Sequence, residues 1–131
     1  MHMIVSAEGI PIEFVFTPGS EADVRGLHRL SLDLPEGSML FGDKAYTEYA
    51  LEDFLRNELN IQLLSQRKAN AKRKHTPYEN LKLSLIRNRI KTVFGSIIAL
   101  MPRWIRARTE QGFCLKVVFF ILAYTVKASF L

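Results

Sequence analysis

The sequence predicts an α/β fold, a mixed sheet flanked by helices, and three observations point there. Short apolar runs with strand-like alternation, Ile12-Glu13-Phe14-Val15-Phe16 among them, occupy the first half of the chain. Stretches with helical period are interleaved with those runs, the order that lays helices over a sheet. The 131 residues are 48% hydrophobic, enough for one core, so residues 1–131 read as a single domain.

Taken in order, Met3-Ile4-Val5 and residues 12–17 read as the strands of a hairpin turned at Glu8-Gly9, with Ile12, Phe14 and Phe16 facing inward. Pro18-Gly19 ends the second strand. Ser20, Glu21 and Asp23 suit the first turn of a helix, where unpaired backbone amides favour acids. Val24, Leu27, Leu30 and Leu32 give that helix an apolar stripe up to Pro35. Glu36-Gly37-Ser38 then turns the chain into Met39-Leu40-Phe41, a buried strand with Asp43 at its C-terminal tip. Ligands bind in the crevice at such tips in open α/β sheets, so Asp43 is a candidate metal ligand or proton acceptor; the competing reading is a turn or cap residue. A second helix is expected over residues 47–57, with Tyr49, Leu51, Phe54, Leu55 and Leu59 as candidates for its inward face, and residues 61–64 form a short strand.

Residues 65–75 hold five basic side chains, no acid and no apolar period, which predicts a mobile basic loop. Thr76-Pro77-Tyr78-Glu79 is a capping box with proline at the first helical position. The long helix it opens carries Ile86, Ile90, Val93, Phe94, Ile97, Ile98 and Met101 at helical spacing and stops near Pro102. A last helix opens within residues 109–113. Its apolar run, residues 117–126, is shorter than the about 20 residues of a membrane span, so it reads as a core helix without membrane contact.

Charge is split along the chain. Residues 1–66 hold four Lys/Arg and eleven Asp/Glu, a balance of −7, whereas residues 67–131 hold fourteen and two, a balance of +12. The basic half points to a polyanion, nucleic acid first; the alternatives are that the halves pair with each other or face solvent. Candidate phosphate contacts are Arg67, Lys68, Lys72, Arg73 and Lys74 in the loop, with Arg87 and Arg89 on the long helix. An RNA-binding module would need exposed stacking aromatics, whereas Phe14, Phe16, Phe94, Phe119 and Phe120 fall on apolar faces. The single cysteine, Cys114, excludes an internal disulfide and a cysteine-built metal site, and fits a reducing cytoplasm. The N-terminus lacks the layout of a secretory signal, and His2, His28 and His75 have no ligand spacing.

Gly42-Asp43-Lys44-Ala45-Tyr46, Arg67-Lys68-Ala69-Asn70-Ala71-Lys72-Arg73, Arg89-Ile90-Lys91-Thr92-Val93-Phe94-Gly95, Gly112-Phe113 with Leu115-Lys116, and Phe120-Ile121-Leu122-Ala123-Tyr124 follow one another in that order. As an ordered set they resemble the DDE transposases of bacterial insertion sequences, from residue 1 to about residue 126. The resemblance implies a ribonuclease-H-like fold and DNA transposition by three carboxylates around two Mg2+ ions, which hold the attacking and leaving oxygens of a phosphodiester. It puts the family's second aspartate on Asp43. The family's first aspartate belongs to a first strand that this chain lacks, so the chain is expected to be a partial, C-terminal part of the domain. The family's glutamate falls on Lys91. An ammonium group there is expected to pair with Asp43 and to repel a divalent metal. Glu79 lies twelve residues earlier on the same helix. That is about 18 Å along the axis and about 120° round it, too far to substitute. The expectation is a catalytically inactive domain, without bound Mg2+, that retains contacts to DNA phosphates. The alternative is an interaction protein that binds DNA or full-length transposase, or self-associates, and inhibits transposition.

Overall fold

The computed structural model describes residues 1–130. Strands β1 (His2–Val5) and β2 (Pro11–Val15) form an antiparallel hairpin, with His2 opposite Val15 and a register shift between Ile4 and Val5. Its turn closes through hydrogen bonds from the Gly9 and Ser6 amides to the Ser6 and Ile10 carbonyls, at 2.9 and 2.8 Å. Gly9 has a φ of 87°, a conformation that glycine adopts without steric cost.

Helix α1 (Asp23–Arg29) is shorter than its apolar stripe suggests. The chain turns extended at Leu30, and Leu32 takes a left-handed φ of 53°; both leucines are buried from irregular backbone rather than from a helix face. Ala22, not Ser20, precedes the first turn, and no side chain caps it.

Strand β3 (Met39–Gly42) runs parallel to β4 (Gln62–Ser65), Leu40 opposite Leu63 and Gly42 opposite Ser65. Helix α2 (Tyr49–Leu59) makes the crossover that a parallel pair requires, and Asn60 ends it in the left-handed region. Its buried residues are Leu51, Glu52 and Leu55, while Phe54 is 53% exposed and Leu59 41%. The expected inward face is therefore turned. Glu52 takes an inner position because a guanidinium meets it there, and Phe54 lies about 100° round from the centre of that face. The sheet also differs from the expected single mixed layer. Among the described residues there are two two-stranded sheets, β1–β2 and β3–β4, and the free edges of β1 and β3 border one slot of about 850 Å3.

Helix α3 (Pro77–Leu100) opens with the expected capping box. The Thr76 hydroxyl accepts from the Glu79 amide at 3.2 Å, and the Glu79 carboxylate accepts from the Thr76 amide at 3.0 Å. Helix α4 (Glu110–Phe130) packs Val117 and Ile121 against Val93 and Ile97, a core separate from the one built by Ile4, Leu27, Leu55, Ile61 and Leu63. Only that stripe of α4 is buried. Leu115, Phe119, Leu122 and Val126 are each at least half exposed, which corrects the core-helix reading and the placing of Phe119 on a buried face. By length and composition, the 21-residue α4 is apolar enough to cross a membrane.

Two glycines test these placements. A Cβ on Gly26 would meet the His2 ring at 2.1 Å, whereas one on Gly95, inside α3, would meet nothing within 4 Å. Gly26→Ala is expected to cost about 1–3 kcal/mol through overpacking, and Gly95→Ala to add about 0.5–1 kcal/mol of helix stability. Urea midpoints measure both, and a Gly26→Ala protein as stable as its parent would contradict the placing of His2.

Candidate functional site

Asp43 follows the last residue of β3 and precedes one turn of 3-10 helix, Lys44–Tyr46. Its side chain makes no capping hydrogen bond, so the carboxylate is free for another partner. That partner is Arg87, whose Nε lies 3.3 Å from Oδ1, in a pair that is about half exposed. The expected Asp43–Lys91 pair does not form. Arg87 and Lys91 are four residues apart on one face of α3, and the turn level with the tip of β3 is the one that carries Arg87. Lys91 and Arg89 border the slot beside this pair.

This donor set does not fit a pair of divalent cations. Magnesium takes hard oxygen ligands, and here a lone carboxylate meets one guanidinium with two further cations alongside. Among the described residues no three His, Cys, Asp or Glu side chains gather closely enough to hold a metal ion. Glu79 sits in the capping box at the start of α3, where the Thr76 backbone amide holds its carboxyl below the usual carboxylate range.

The basic segment has no helix or strand, and side chains at both of its ends bond to the rest of the fold. Arg67 donates to Glu52 at 2.5 Å and to the Ser65 hydroxyl at 3.0 Å, with both charged side chains only 9% exposed. Arg73 makes two bonds to Asp53, at 2.8 and 3.0 Å, and these hold the Asp53 carboxyl below its ordinary range. Both guanidinium groups stack on Tyr49, 5.1 and 4.7 Å from the ring centroid. His75 bonds the Ser65 carbonyl at 2.6 Å. Arg67 is thus committed internally, and Arg73 and Arg87 sit in exposed ion pairs. Lys68, Lys72, Lys74 and Arg89 are exposed and form no ion pair among the described residues. Trp104, among the arginines after α3, is 78% exposed.

Sequence reasoning assigned no role to His2 or Tyr46. His2 is 6% exposed; one ring nitrogen lies 2.7 Å from the Tyr46 hydroxyl and the other 3.0 Å from the Thr17 hydroxyl. No local pattern could have announced this, since the partners are 15 and 44 residues away. Burial, with the charges of Asp23 and Asp43 behind it, pushes the Tyr46 phenol up to about 12.

Two expectations follow. The raised phenol favours the folded state fully below the ordinary value of 10.0, and that contribution is lost as pH climbs to about 12. Tyrosinate absorbance should therefore show one late phase, absent in Tyr46→Phe, with stability falling over the same interval. Arg67→Ala strands a buried carboxylate and should cost about 3–5 kcal/mol in denaturant melts, against less than about 0.5 kcal/mol for Lys72→Ala.

The family described as transposase DDE domain matches residues 1–128. No curated protein and no solved structure matches the chain. Proteins of the matching family transpose DNA and are in general metal-dependent. A match that leaves only the last three residues uncovered shows that the chain belongs to the transposase DDE domain family.

Proposed function

We propose that this chain is a DNA-holding domain of the insertion-sequence transposase type, with a ribonuclease-H-like arrangement, that does not carry out metal-dependent strand transfer. The observation that carries this reading is the lone Asp43 carboxylate, answered by Arg87 and flanked by Arg89 and Lys91 where the chemistry calls for further acids. An antiparallel hairpin beside a parallel β3–β4 unit with its crossover helix supports the fold assignment. DNA contact falls to Lys68, Lys72, Lys74 and Arg89, which are exposed and unpaired among the described residues. Point charges of this kind meet phosphates and read no sequence.

Salt dependence tests the reading. Four cations on phosphates give a slope of log affinity against log salt of about −3.6, a loss of about 150-fold between about 50 and 200 mM salt, of which the three lysines supply about −2.7. The Lys68→Ala, Lys72→Ala, Lys74→Ala triple variant should keep a slope of only about −0.9 in an anisotropy titration of duplex DNA, whatever the duplex sequence. Salt-independent binding would refute phosphate contact. Magnesium-dependent nicking that Asp43→Ala abolishes would refute the absence of strand transfer.

A further inference from the structure

The connection from α3 to α4, residues 101–109, holds Arg103, Arg106 and Arg108 and no acid. All three arginines are exposed and form no ion pair among the described residues. The large apolar residues of the connection divide into two sets. Met101 and Ile105 pack against the Val93, Ile97, Val117 and Ile121 core, whereas Trp104 between them is 78% exposed. Lys116 of α4 donates to the Arg106 carbonyl, which ties the connection to that helix. The indole is therefore turned outward from a backbone anchored on both sides of it. Pro102, Ile105 and Arg106 of the same connection line a cleft of about 280 Å3 with Lys116, Phe119 and Phe120 of α4.

A ligand that covers this ring must also answer three guanidinium groups. An unpaired nucleotide does both, because its base stacks on an aromatic face while its phosphates take charge-assisted bonds from arginine. In a duplex the base faces are closed against one another, and opening them is costly. Acidic side chains alone answer the charge and leave the indole bare.

We propose that the α3–α4 connection is a single-stranded nucleic-acid site, in which Trp104 stacks on an unpaired base and Arg103, Arg106 and Arg108 hold the flanking phosphates. The site lies apart from the lysine loop. Lys74 precedes α3 and Trp104 follows it, and the 24 residues of that helix span about 36 Å.

Trp104 is the chain's one tryptophan, so its emission reports on this site alone. The test titrates oligo-dT of about eight nucleotides into the whole chain. Expected is saturable quenching, absent with duplex DNA and with an abasic strand at the same concentrations. In anisotropy with labelled oligo-dT, Trp104→Ala should weaken binding about ten-fold or more, and Trp104→Phe, which keeps a ring, by less. Joint replacement of Arg103, Arg106 and Arg108 by alanine should flatten the slope of log affinity against log salt by about 2. The Lys68→Ala, Lys72→Ala, Lys74→Ala variant should keep the quenching, so failure of the lysine contacts and failure of this site are told apart. Circular dichroism checks that each variant is folded. The proposal is overturned if oligo-dT leaves the emission unchanged, if duplex or abasic strand quenches as strongly, or if Trp104→Ala binds oligo-dT like its parent. A blue shift that grows with protein concentration in the absence of nucleic acid also overturns it, because a second copy then covers the indole.

Discussion

One buried imidazole joins what strand pairing leaves apart. The hairpin and the parallel pair form separate sheets, and His2, at the start of β1, reaches the hydroxyls of Thr17 after β2 and Tyr46 after β3. Gly26 of α1 leaves room for the ring, which a Cβ would occupy. Three elements thus converge on one side chain. The Asp43 tip lies three residues before Tyr46, so the same contact fixes where the carboxylate stands relative to β1.

Electrostatics organises the other side. The acidic first half and the basic second half do meet: Glu52 with Arg67, Asp53 with Arg73 and Asp43 with Arg87 are all pairs across that division. The excess of positive charge is therefore partly internal. The buried Glu52–Arg67 pair orients α2, and Tyr49 lies between two guanidinium groups of the basic loop, tying that loop to α2. The exposed cations left without an ion pair among the described residues include Lys68, Lys72, Lys74, Arg89, Lys91, Arg103, Arg106 and Arg108. The same accounting governs the Asp43 site, where cations meet a single acid and a pair of divalent ions would face repulsion rather than a cradle.

Features set by neighbours in the chain were legible in the sequence. The Thr76 capping box, the strand ending at Gly42 with Asp43 behind it, and the α2 crossover each depend on residues within a turn or a strand of one another. Features set across the fold were not. The inner face of α2 depends on a guanidinium fifteen residues away, and apolar period alone favoured Phe54 over Glu52. The exposure of α4 depends on how much surface the rest of the chain offers, and α3 covers a single stripe of it. Which of two cations on one face of α3 meets Asp43 depends on the height of β3 beside the helix, which spacing does not encode.

With one carboxylate answered by a guanidinium, the tip of β3 is not expected to assemble a divalent-metal pair. The most direct test of this is titration with Mn2+, followed by paramagnetic broadening of backbone resonances. The Gly42, Asp43 and Lys44 signals are expected to keep their widths at Mn2+ concentrations that saturate an intact three-carboxylate site. Saturable broadening centred on Asp43 with two ions bound per chain, and lost in Asp43→Asn, would contradict it.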